Sequence, residues 1–79
     1  MALSKETRLK KLRTLAESEG FASVDDMLAA SVCDSVAPAI CTASGCDYTV
    51  EMEPDQDRGW CEACGRNSVV AAPVLAGII

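Results

Sequence analysis

The sequence predicts a small α+β fold: an N-terminal helical hairpin packed on a β-hairpin module that carries four paired cysteines. Three observations point there. Apolar residues recur at helical spacing through the first 36 positions, cysteines pair as C-x4-C and C-x2-C further along, and the insert between the pairs alternates polar and apolar residues. The division is expected at 1–37 for the hairpin and 38–79 for the cysteine module with its apolar tail, the two folding as one cooperative unit.

The first helix is predicted over residues 4–19. Ser4 is the expected N-cap and Gly20 the expected stop. On a helical wheel Leu9, Leu15 and Ala16 fall within about 60° of Leu12, which defines one apolar stripe. Five basic residues share this helix without gathering on one side. Lys5 and Arg8 sit above the stripe, Lys11 and Arg13 flank it, and Lys10 is opposite. The expectation for them is a solvated helix surface.

A second helix is predicted from Ser23, where Ser23-Val24-Asp25-Asp26 resembles a capping box with Asp in place of Glu. It should run to about Val36 and end before Pro38, which disfavours helical geometry at Ala37. Met27, Leu28 and Val32 group with Val24, whereas Ala29, Cys33 and Val36 form a second face. Two apolar faces predict a helix held between the first helix and the cysteine module. The short Gly20-Phe21-Ala22 link predicts an antiparallel hairpin.

Cys41-Thr-Ala-Ser-Gly-Cys46 and Cys61-Glu-Ala-Cys64 are separated by fourteen residues. Each pair can grip one ion from a single turn, and a hairpin in the insert would bring the pairs together. Gly45 and Gly65 stand where such turns need a positive φ or a close backbone approach. Asp47 to Met52 alternates as a strand, with Tyr48, Val50 and Met52 on one side. The stretch from Glu53 to Gly59 is rich in turn residues. Trp60 restarts an apolar run, and Ser68-Val69-Val70 would return as a further strand. Short strands carrying paired cysteine turns make a zinc ribbon, so one Zn²⁺ per chain at Cys41, Cys46, Cys61 and Cys64 is the expected cofactor. Iron also takes tetrahedral sulfur sites. A rubredoxin-like site, however, pairs two C-x2-C turns, and the first pair here is C-x4-C. Cys33 lies outside both pairs and is expected to be a small apolar contact.

The blocks Pro38-Ala39-Ile40-Cys41, Gly45-Cys46-Asp47-Tyr48-Thr49, Glu53-Pro54-Asp55-Gln56, Gly59-Trp60-Cys61-Glu62-Ala63-Cys64-Gly65 and Leu75-Ala76-Gly77-Ile78-Ile79 resemble a group of short bacterial zinc-ribbon proteins of unassigned function. With the second helix, the resemblance covers most of residues 21–79. It implies a metal site at the same four cysteines and brings no activity with it.

Composition narrows the function. The chain has 79 residues, and below about 70–80 residues a single core usually needs a disulfide, a metal or a partner subunit. Hydrophobic residues make up 49%, too many for a disordered tail. The absence of histidine removes mixed cysteine–histidine zinc fingers, Ser-His-Asp triads and Cys-His dyads, and no catalytic group is expected. The charged first residues, Met1 to Arg13, lack the apolar run of a signal peptide, and the most apolar stretch, Val69 to Ile79, is short and broken by Pro73 and Gly77. A cytoplasmic chain with no membrane contact is the expectation. Closely spaced cysteines there bind metal rather than form disulfides.

The net charge of −5 is uneven: residues 1–20 balance at +2 and residues 21–79 at −7. Residues 39–70 hold six acids against Arg58 and Arg66, and four thiolates around Zn²⁺ would add −2. Such a surface repels phosphate backbones, so nucleic acid is disfavoured as a partner and a protein partner is expected. The reading is therefore a protein-interaction or regulatory module. The alternative is a nucleic-acid-associated ribbon that works through the basic first helix.

Overall fold

The computed structural model describes residues 4–31 and 35–78. Helix α1 (Lys5–Ser18) begins where expected: Ser4 Oγ accepts the Thr7 N–H at 3.1 Å. It closes where Gly20 N–H reaches Glu17 O and Phe21 N–H reaches Ala16 O. Helix α2 (Val24–Ser31) starts on Ser23, whose Oγ accepts the Asp26 N–H at 3.1 Å. The chain does not continue helically to Val36. Ser35 and Val36 are bends, and Ala37 already opens strand β1 (Ala37–Cys41). Val32, Cys33 and Ile79, which sequence assigned to packing faces and the tail, lie outside the described residues.

Strand β1 has no counterpart in the sequence prediction. It carries Pro38, a residue that usually marks an edge, yet it lies inside the sheet. Strands β2 (Thr49–Met52), β3 (Gly59–Cys61) and β4 (Arg66–Ala71) complete a four-stranded antiparallel sheet in the order β2-β1-β4-β3. Parity explains how Pro38 is tolerated. Cys41 N–H bonds Tyr48 O on the β2 side, and Thr42 N–H bonds Ser68 O on the β4 side. Pro38 therefore faces the β4 side, but β1 pairs with β4 only from Ala39 to Cys41. The donor that proline lacks would have pointed past the end of β4, where the chain has entered the single turn α3 (Ala72–Leu75).

The sheet is curled, so its two edges approach each other. Tyr48, Val50 and Met52 of the β2 region join Cys61 of β3 in one cluster with Ala39, Cys41, Val69 and Ala71. Gly59 lies under the Met52 thioether, and a Cβ there would collide with the Met52 methyl and come within 3.2 Å of Val69 Cβ. The other face of the sheet packs against the helices. Leu12, Leu15 and Ala16 of α1, Met27 of α2, Ile40 of β1, and Ala72 and Leu75 of α3 form one core.

Two expectations of side-chain burial change. Leu9 is 45% exposed, although the wheel placed it on the stripe, and Lys11 is buried instead. Ala29 and Val36 are exposed, so the second apolar face of α2 is not covered at these positions. Trp60 points away from the cluster and is 57% exposed, because side chains alternate along β3 and Gly59 and Cys61 take the inward positions. The C-terminal stretch holds both a strand and a helical turn: β4 ends at Ala71 and α3 follows, with Pro73 in its first turn. Leu75 docks in the helix-side core, and Ile78 remains exposed.

Candidate metal centre

Both cysteine pairs sit on turns at one end of the sheet. Cys41 ends β1, and the chain reverses through Ala43 to Gly45, where Cys46 N–H closes on Ala43 O at 3.1 Å. Cys61 ends β3, and Gly65 N–H closes on Cys61 O at 2.8 Å. Gly45 and Gly65 take φ of 78° and 70°, values a side chain would strain. The β1–β4 and β3–β4 ladders then bring the two turns together, in place of the expected hairpin in the insert, whose strands β2 and β3 lie at opposite edges of the sheet.

The four sulfurs lie within 4.8 Å of one another. The nearest approaches are between turns: Cys41 to Cys64 and Cys46 to Cys61, each at 3.7 Å. Ligands about 2.3 Å from a shared tetrahedral centre stand about 3.8 Å apart, so these separations already suit one ion. They are far beyond the roughly 2.05 Å of a disulfide bond. Cys41 and Cys61 are fully buried, Cys46 is half-buried, and Cys64 sits at the exposed rim. The backbone supports two of the sulfurs: Ala43 N–H donates to Cys41 Sγ at 3.5 Å and Cys64 N–H to Cys61 Sγ at 3.4 Å.

These surroundings divide the thiols in the metal-free chain. Burial pushes Cys61 up, but hydrogen bonds from the Cys64 and Ala63 backbones and from the Cys64 and Cys41 thiols outweigh it and bring Cys61 down to about 7. At Cys46 a backbone hydrogen bond from Tyr48 pulls down, while burial and the Cys41 and Cys61 thiols together push it up to about 11. Cys64 is raised, chiefly because its thiol donates to Cys61, with burial adding to the effect. Cys61 is thus a ready thiolate near neutral pH, and a metal must displace protons from Cys46 and Cys64.

Two residues outside the cysteine pattern also shape the centre. Ser68 Oγ lies 3.0 Å from Cys41 Sγ and 3.8 Å from Cys64 Sγ, touching one thiol of each turn. Lys11 reaches from α1 into the first turn. Its Nζ donates to Ala43 O at 3.1 Å, to Cys46 O at 2.5 Å and to Asp47 Oδ1 at 2.9 Å. An ammonium has three donors, and all three are used. No spacing rule links these residues to the thiols. Lys11 finds its partners 32 to 36 residues away, and Ser68 lies 27 residues from Cys41. The one legible hint was the place of Lys11 beside the apolar stripe.

The geometry defines a four-thiol site on a curled antiparallel sheet, close enough to hold one metal ion. Comparison with protein-family models, curated proteins and solved structures returned no match. Among the described residues no helix is long and apolar enough to cross a membrane.

Proposed function

We propose that Cys41, Cys46, Cys61 and Cys64 hold one structural Zn²⁺, and that the protein is a zinc-stabilised ribbon acting as a small protein-interaction or regulatory module in the cytoplasm. The observation that carries this reading is the mutual approach of four sulfurs within 4.8 Å. Four thiolates would close the tetrahedron and leave no open position for water or substrate, which favours a role in folding over catalysis. The C-x4-C first turn favours zinc over a rubredoxin-like iron centre, and the likeness to short bacterial zinc-ribbon proteins points the same way. The first two helices are read as a hairpin clamped on the ribbon through Lys11. Exposed Trp60 and Ile78 offer apolar contacts to a protein partner.

Native mass spectrometry of the intact chain should find one zinc. Cys61→Ala and Cys64→Ala should lose it, and Cys33→Ala should keep it. A metal-free chain with unchanged NMR dispersion overturns the reading. Dispensability of any of the four paired cysteines overturns the ligand assignment.

A further inference from the structure

A groove of about 1010 Å³ runs between α1, the first cysteine turn and the start of β4. Its walls gather Arg8, Lys10 and Lys11 from α1 with Arg58 and Arg66 from the ribbon. These are five of the seven Lys and Arg residues in the chain, and only Lys5 and Arg13 lie elsewhere. Along α1 alone the basic residues look scattered. The fold brings three of them to the same groove as the ribbon's two arginines.

Asp47 and Asp57 are the only acids in the lining, which leaves the groove at +3. The chain as a whole carries −5, so everything outside the groove sums to −8. Four thiolates around a divalent ion behind Ser68 would add −2 and still not cancel the lining charge. Among the described residues Lys11 is the one cation in an ion pair, with Asp47.

We propose that this groove binds a compact phosphorylated ligand through a diphosphate-like group. Arginine forks match phosphate oxygens in geometry and charge. The volume is that of a small-molecule site. A long polyanion leaving the groove would run onto a surface of opposite preference, so the charge map selects a short anion over a nucleic-acid strand. The proposal does not depend on the metal reading, and zinc content measured on the same samples keeps the two separable.

The test is an NMR titration of the full-length, as-purified protein with inorganic pyrophosphate, citrate and a short oligo-thymidylate at about 0.1 M salt. Pyrophosphate should move the amides of Thr42 to Gly45 and Arg66 to Ser68 saturably, with a midpoint below about 1 mM. Arg66→Gln and Arg58→Gln, both exposed positions that leave the fold intact, should each weaken it about tenfold. Arg13→Gln, outside the groove, should leave it unchanged. The proposal is overturned by non-saturating shifts, by equal weakening from Arg13→Gln, by citrate binding as tightly as pyrophosphate, or by the oligonucleotide binding more tightly than either.

Discussion

The sheet separates two cores built from different materials. On the helix side Leu12, Leu15, Met27, Ile40 and Leu75 supply large aliphatic and thioether groups. On the thiol side the fully buried residues are Ala39, Cys41, Cys61, Val69 and Ala71. Side chains of that size remove little apolar area from water, and hydrophobic stabilisation scales with that area. The first core therefore has more apolar area to bury. The second surrounds four sulfurs, two of which are tuned to remain protonated, and it is the side a bound ion would stabilise.

The largest effect should come from metal removal. Structural zinc sites contribute about 10–16 kcal/mol, comparable to or larger than a small domain's whole stability. A strong chelator should therefore collapse NMR dispersion first and most completely at Cys41, Cys46, Cys61 and Val69. Equal persistence of the thiol-side signals after chelation would erase the contrast between the cores. Next in size is Leu15→Ala. Leu15 is fully buried, and truncating it should cost about 2–5 kcal/mol in chemical denaturation. The variant should still carry one zinc by mass spectrometry, because the lost packing lies on the other face of the sheet.

Acid probes only the thiol side. Metal uptake displaces protons from Cys46 and Cys64, both raised, and below about pH 7 from Cys61 as well. Protons and metal compete for the same sulfurs, so affinity falls as pH falls. With at least two protons displaced, affinity falls at least about a hundredfold per pH unit, and more steeply once Cys61 protonates. Competition with a chromophoric chelator between neutral pH and pH 6 would measure the slope, and a flat profile would contradict the thiol ordering.

The smallest effect should be Lys11→Met, which keeps the aliphatic stem and removes the ammonium. The Ala43 and Cys46 carbonyls and Asp47 then lose their shared donor, at a cost of about 1–3 kcal/mol. Unlike Leu15→Ala, it should also speed zinc release to a competing chelator. If zinc release were unchanged, the two cores would be joined only through the sheet.

The two sides also differed in how far they could be read from sequence. The thiol side was legible because chemistry fixes it locally. Two cysteine spacings, Gly45 and Gly65, and the alternation at Tyr48, Val50 and Met52 all appear in place. Helix starts were legible for the same reason: Ser4 and Ser23 each cap a turn within three residues. Strand β1 was missed because Pro38 reads as a break, and only the position where β4 ends makes it tolerable. Leu9 and Lys11 appear exchanged against the wheel because the first cysteine turn, distant in sequence, supplies the acceptors that bury an ammonium. Trp60 restarts an apolar run in sequence, but the alternation of β3 puts it on the outward side while Gly59 and Cys61 face in.

Strand β1 also bears on how the chain could be divided or reused. Its residues alternate between clients: Ile40 belongs to the helix side, and Ala39 and Cys41 belong to the thiol side. A ribbon excised at the 37/38 boundary would keep its metal ligands but carry Ile40, Val70 and Leu75 as a bare apolar wall. Such a wall recruits neighbours, so the excised ribbon should self-associate more strongly than the intact chain. Transplanting this metal site into another scaffold therefore means transplanting a helix to cover its back.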